Sequence, residues 1–261
     1  MGSIDPLVLR VLSDLGKGLL ASHVEFCVIG ALVPEVLLVV PPRRRTNDAD
    51  ATVVVETLDQ FDQLKADLAA FGFTPTRHAY RLAHSAGGWV DLLPYSRTLV
   101  PSGQLELNGG LSFNMAGFEH VMPSRLEVSV AEGLVLPIAP VPLYVLLKLV
   151  AYADRRAAKD LGGILHCLQH YAEDDERRYG LEHDGAHVPF EYTCAYLVGI
   201  DGSRFCDSMA VPVSGVLDRF ESPDAPIVGL VAGEDGRAPL EDRDRIEIFD
   251  LFQWYRRATS V

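Results

Sequence analysis

Apolar residues return every three or four positions from Pro6 to Ala21, where Leu7, Val8, Val11, Leu12, Leu15, Leu19 and Leu20 share a stripe. That period predicts an opening amphipathic helix. Phe26-Cys27-Val28-Ile29 is a short β-branched and aromatic run that ends in Gly30-Ala31, which predicts a buried strand feeding a tight turn. Pro34 stands where the first turn of a helix begins, and Pro41-Pro42 ends that helix. A second strand runs from Thr46 to Val55. Leu58, Phe61, Leu64, Leu68 and Phe71 then form the stripe of a crossover helix stopped by Gly72, so a βαβ-like unit is expected. Thr76 to Ala83 and Gly88 to Pro94 read as a hairpin turning at Ser85 to Gly88. Glu119 to Met122 and Leu126 to Val130 alternate as strands that extend the sheet. Prolines in Leu134 to Pro140 mark a sheet edge or a linker.

From Pro142 the period becomes helical. Leu143, Leu146, Leu147 and Val150 share a face that leaves Lys148 on another, and Lys159-Asp160-Leu161 opens a second helix. A further helix is expected over Glu191 to Gly199. Pro212, Pro223 and Pro226 forbid one long element between Ser203 and Val231. Glu241 to Arg257 reads as the last helix, with Ile246, Phe249, Phe252 and Trp254 as its packing stripe. The whole predicts an α+β fold: a mixed sheet flanked by helices in residues 1–140, then a mainly helical region in 141–261.

The candidate chemistry lies in Thr46-Asn47-Asp48-Ala49-Asp50. Residues two apart on a strand point to the same face, so Asp48 and Asp50 project together. Adjacent carboxylates repel unless a cation sits between them, and divalent ions prefer such oxygen ligands. Two solvated aspartates at a strand start are the bland alternative. Asp91, within Trp89-Val90-Asp91-Leu92-Leu93, is a charge in an otherwise apolar strand and needs a partner.

Gly30-Ala31 at one strand end, followed by Thr-x-Asp-x-Asp on the next, resembles the nucleotidyltransferase fold of the DNA polymerase β superfamily. More narrowly, the chain resembles the AbiEii-type nucleotidyltransferases of bacterial toxin–antitoxin systems. Arg43-Arg44-Arg45 ahead of the acids, Asp91 as a third acid, and Leu147 to Leu161 with Lys148, Arg155, Lys159 and Asp160 carry the rest of the likeness. It spans Phe26 to about Leu168. Ala31 replaces the usual second Gly or Ser of the turn, and Ala49 replaces a large aliphatic residue between the acids.

The resemblance implies that Asp48, Asp50 and Asp91 are catalytic and bind two Mg2+ ions. It implies that Gly30, Ala31, Arg45, Lys148 and Arg155 surround a nucleoside triphosphate, and that the acceptor is a hydroxyl of RNA, protein or a small molecule. A toxin-like role with an antitoxin partner follows from the same likeness. The alternative is an inactive member of the fold that serves as an interaction or ligand-sensing module. Lys148 could instead be solvated, and Arg155 could pair with Asp160.

Composition narrows the partners. Against 23 Lys and Arg stand 36 Asp and Glu, a formal charge of −13, which argues against a broad basic surface for nucleic acid. No apolar run is long enough to span a bilayer and no signal sequence opens the chain, so a cytoplasmic protein is expected. Cys27, Cys167, Cys194 and Cys206 lack paired spacing and read as reduced thiols, and His166, Cys167 and His170 make a poor zinc site.

Overall fold

The computed structural model describes residues 4–42, 46, 48–183, 185–236 and 240–259. Two compact units divide the chain: Met1–Val36 with Arg43–Pro140, and Leu37–Pro42 with Val141–Val261.

In the first unit, α1 (Pro6–Ala21) starts where the Asp5 carboxylate accepts the Leu7 amide at 2.7 Å and Pro6 takes the first helical position. Val8, Val11, Leu12, Leu15 and Leu19 are its buried stripe. Strand β1 (Phe26–Ile29) leads through Gly30 into α2 (Leu32–Leu37), which has Pro34 in its first turn and stops ahead of Pro41-Pro42. Strand β2 (Asp48–Val54) is followed by α3 (Leu58–Asp67), whose Thr57 hydroxyl accepts the Gln60 amide. A 3-10 turn, Leu68–Phe71, extends it to Gly72, whose φ of +89° ends the helix.

The remaining strands are β3 (Phe73–Pro75), β4 (Arg81–His84), β5 (Trp89–Tyr95), β6 (Gln104–Leu107), β7 (Leu111–Asn114), β8 (Leu126–Ala131) and β9 (Leu134–Ile138). Seven of the strands form one sheet in the order β3-β4-β5-β2-β1-β9-β8, while β6 and β7 pair alone. The sheet is mixed: β2 runs parallel to β5 and antiparallel to β1, and β1 runs parallel to β9.

Several expectations need correction here. Thr76 to Tyr80 is not strand; β3 takes the sheet edge and β4 begins only at Arg81. Strands β2 and β3 point the same way, but β5 and β4 lie between them, so the crossover is not between neighbours. Phe118–His120 is a 3-10 turn and Val121–Ser124 the short helix α4, because burying Phe118 and Val121 on one side follows helical spacing. Strand β9 lies inside the sheet, between β1 and β8, despite Pro137. Its register pair with β1 is at Ile138, just past the proline.

The second unit is helical: α5 (Val141–Arg155), α6 (Ala158–His170), α7 (Thr193–Ser203), α8 (Ala210–Leu217), α9 (Pro226–Glu234) and α10 (Asp242–Thr259). Phe220 and Phe252 stack at 3.9 Å between ring centroids. Gly199 lets α7 approach α10 closely, since a Cβ there would sit 2.8 Å from the Tyr255 carbonyl oxygen. The buried stripe of α10 is Ile248, Leu251, Phe252 and Tyr255; Ile246 is exposed, and of the expected stripe only Phe252 is fully buried. No described helix is long and apolar enough to cross a membrane.

Candidate functional site

The parallel pairing of β2 with β5 sets Asp48 opposite Trp89 and Asp50 opposite Asp91. Along both strands the aspartates are half-buried while Ala49, Ala51, Val90 and Leu92 between them are fully buried. The side-chain period of two therefore places Asp48, Asp50 and Asp91 on one face, with the core on the other. Strand β4 adds a cation to that face, because its antiparallel register sets Arg81 opposite Asp91.

Arg81 engages Asp91 as a two-pronged fork, Nε donating to Oδ1 at 2.6 Å and Nη2 to Oδ2 at 2.7 Å. These hydrogen bonds push the guanidinium pKa above its ordinary value, against the opposing effect of burial. The guanidinium carbon also lies 5.0 Å from the centre of the Trp89 ring and 5.9 Å from that of Tyr80.

Asp48 is held from two sides. The Thr46 hydroxyl donates to its Oδ1, and the Trp89 indole Nε1 donates to Oδ2 at 3.3 Å. Thr46 is itself anchored, its amide donating to Oε2 of Glu35, a buried carboxylate on α2, at 3.4 Å.

Gly30 closes the other side of the acids. Its φ of +75° is a left-handed conformation that disfavours side chains, and an added Cβ would fall 2.6 Å from Asp50 Cγ. Ala31 follows it as an exposed residue, and the Gly30 carbonyl accepts the Val33 amide at 3.1 Å as the chain turns into α2. Arg45, like Arg43 and Arg44, lies outside the described residues.

Lys148 and Arg155 belong to the second unit, where they meet on Asp160. Lys148 Nζ donates to Asp160 Oδ1 at 3.0 Å, while Arg155 donates from Nε to Oδ2 at 2.8 Å and from Nη2 to Oδ1 at 2.6 Å. The Asp160 side chain is fully buried. Burial alone raises its pKa, but the Arg155 fork and the Lys148 charge outweigh that and hold the carboxyl below its ordinary value.

Neither Arg81 nor Glu35 is among the residues expected at the site from the sequence. Arg81 hides in a run whose register against Asp91 only the sheet reveals. Glu35, the lone charge in Leu32-Val33-Pro34-Glu35-Val36-Leu37, carries a signal that was open to notice. Among the described residues, no group of three or more His, Cys, Asp and Glu side chains is spaced to hold a metal ion. His166 Nε2 lies 2.9 Å from the Val40 carbonyl, and burial pushes the Cys167 thiol pKa far up.

No protein-family model and no curated protein matches the chain. Among solved structures it is similar to an antigenic nucleotidyltransferase-like protein from Paracoccidioides brasiliensis, with 16% identity and a TM-score of 0.44 over 62% of this chain and 76% of that one. It is also similar to the Elizabethkingia meningoseptica CdnE cyclic dinucleotide synthase with GTP and Apcpp, with 12% identity and a TM-score of 0.30 over 100% of this chain and 96% of that one.

Proposed function

We propose that the protein is a Mg2+-dependent nucleotidyltransferase that moves a nucleoside monophosphate from a triphosphate onto a hydroxyl. The observation that carries this reading is the register of β2 and β5, which brings Asp48, Asp50 and Asp91 to one face beside a glycine turn. The donor set suits hard divalent cations in chemistry, and a guanidinium already stands in as the cation on Asp91. As the side chains stand, their spacing is not that of a metal centre.

Asp48, Asp50 and Asp91 would supply the metal-binding oxygens. Bound Mg2+ would neutralise the triphosphate and lower the pKa of the acceptor hydroxyl. Thr46 and Trp89 fix the Asp48 carboxylate, so it is oriented before ligand arrives. Gly30 keeps the approach to Asp50 clear of a side chain. Asp91 would accept the acceptor's proton. Arg45 is proposed to balance triphosphate charge, while Lys148 and Arg155 are engaged on Asp160 within the helical unit. The acceptor class is RNA, protein or small molecule, and a toxin-like role paired with an antitoxin is the narrower version of this reading.

A second reading has its own observation. With Asp91 forked by Arg81, one carboxylate of the face is already neutralised, as suits an inactive module that senses a ligand or binds a protein. To separate the two, α-phosphate-labelled triphosphates are incubated with Mg2+ and either the wild type or Asp48→Ala/Asp50→Ala. Label transferred by the wild type alone, with pyrophosphate released, supports the enzyme. Equal labelling by both proteins, or none with any triphosphate and acceptor, favours the module.

A further inference from the structure

We propose that Trp89 is a stacking shelf for a nucleobase: its indole, beside the acids, receives the base of a nucleotide that occupies this face of the sheet. This inference rests on the transfer reading above, whose donor carries such a base.

The ring lies on the right face and is left open. Trp89 begins β5 two residues ahead of Asp91 and stands opposite Asp48, so strand alternation sets it on the face of all three acids. It is 39% exposed, and among the described residues of the sheet unit it is the one exposed Phe, Tyr or Trp. Trp254, the only other tryptophan, shows the contrast. In the helical unit Tyr192 stacks on it at 6.5 Å between ring centroids, and Tyr196 meets it edge-on at 6.2 Å. No ring among the described residues lies against Trp89 in that way. So large an apolar surface left in water costs free energy that a stacked base would recover.

Two polar contacts orient the indole without covering it. Nε1, at the ring edge, donates to Asp48 Oδ2 at 3.3 Å. The Arg81 guanidinium carbon, 5.0 Å from the ring centre, takes at most one of the two ring faces, and the fork on Asp91 keeps that cation in place. On the side away from Asp48, the next residues in the row are Ala83 on β4, opposite Trp89, and Thr74 on β3, opposite Ala83. Both are small, so the row between the indole and the sheet edge carries no bulky side chain. An aromatic ring already held in one orientation loses little freedom on stacking. Every base has a π face, so such a shelf accepts bases without selecting among them.

The test reads binding, without turnover and without metal. In a Trp254→Phe background Trp89 is the sole tryptophan, and its fluorescence reports the shelf. Adenosine and cytidine are expected to quench it saturably. Ribose 5-phosphate and inorganic tripolyphosphate, which lack a base, are expected to leave it unchanged. Saturation with the Mg2+ complex of a non-hydrolysable ATP analogue then identifies the source of the base. The adenosine response disappears if the shelf serves the donor triphosphate, and persists if it serves a nucleotide acceptor. Equilibrium dialysis of labelled adenosine against otherwise wild-type protein should show Trp89→Leu binding about tenfold more weakly, within the range of one base–aromatic stack. Trp89→Phe, which keeps a ring but not the bond to Asp48, should retain most of the affinity. A Trp89→Leu that binds adenosine as tightly as the wild type, or a Trp89→Phe as weak as Trp89→Leu, overturns the shelf and leaves the transfer reading intact. So does the absence of quenching by either nucleoside while the Mg2+ analogue still binds. No binding of nucleoside or analogue by any of the proteins overturns both.

Discussion

Asp160→Ala isolates what the buried carboxylate in the helical unit does. Three donor contacts, one from Lys148 at 3.0 Å and two from Arg155 at 2.8 and 2.6 Å, converge on a side chain with no exposure. Removing one partner of a fully buried ion pair costs about 3–5 kcal/mol, because the other charge is left without compensation. Here the Lys148 side chain is only 19% exposed, but that of Arg155 is 50% exposed and can rehydrate. The expected loss is accordingly discounted to about 2–3 kcal/mol. For a unit of this size that corresponds to a fall in Tm of roughly 6–12 °C. Asp160→Asn, which keeps the shape and some hydrogen bonding, should lose less.

The pH dependence has a definite sign. Burial opposes ionisation of Asp160, but Arg155 and Lys148 prevail and its folded pKa lies below the unfolded one. Its stabilisation is therefore complete above the unfolded carboxylate value of about 4 and is lost as pH falls through the depressed folded value. Denaturant titrations of wild type and Asp160→Asn should differ by a constant amount between about pH 6 and 8, and the gap should close in acid. A loss in Asp160→Ala below about 0.5 kcal/mol, or a gap that widens as pH falls, would refute the reasoning.

Three further outcomes are expected. Tyr255 is fully buried and its hydroxyl has no hydrogen-bond partner among the described residues, so Tyr255→Phe should be neutral or stabilising by up to about 1 kcal/mol in urea denaturation. Gly30→Ala must adopt φ +75° and displace Asp50, so a loss of about 1–3 kcal/mol together with weakened binding of the Mg2+–nucleotide complex is expected by calorimetry. All four cysteines are buried, with burial pushing the Cys27 thiol pKa up to about 12 and that of Cys194 up to about 11. A thiol-specific dye at pH 8 should find no fast-reacting thiol in the native protein and four after denaturation.

What the sequence revealed follows from how local each signal is. The bounds of α1, the β1 strand, the Gly72 stop and the shared face of Asp48 and Asp50 come from short periods and single-residue conformational preferences, and all were legible. Sheet order was not, because pairing is set by contacts distant in sequence. Pro137 suggested an edge, yet β1 pairs with β9 only beyond it. Glu119 to Met122 alternates over too few residues to separate strand from helix. The ion pairs divide in the same way. Arg155 with Asp160 is five residues apart and was foreseeable, whereas Arg81 with Asp91 needed the hairpin register, and Glu35 needed the route of the chain back to Thr46.

Nucleotide binding that depends on both Mg2+ and the acid face is the central claim, and thermal stability reads it most directly. Each nucleoside triphosphate is added with and without Mg2+ to the wild type and to Asp48→Ala/Asp50→Ala. At about a hundred times Kd a real site should stabilise the wild type by about 2.7 kcal/mol, only when Mg2+ is present, and the double variant should not respond. A wild type indifferent to every triphosphate and to Mg2+, or a double variant stabilised as much as the wild type, would contradict the account.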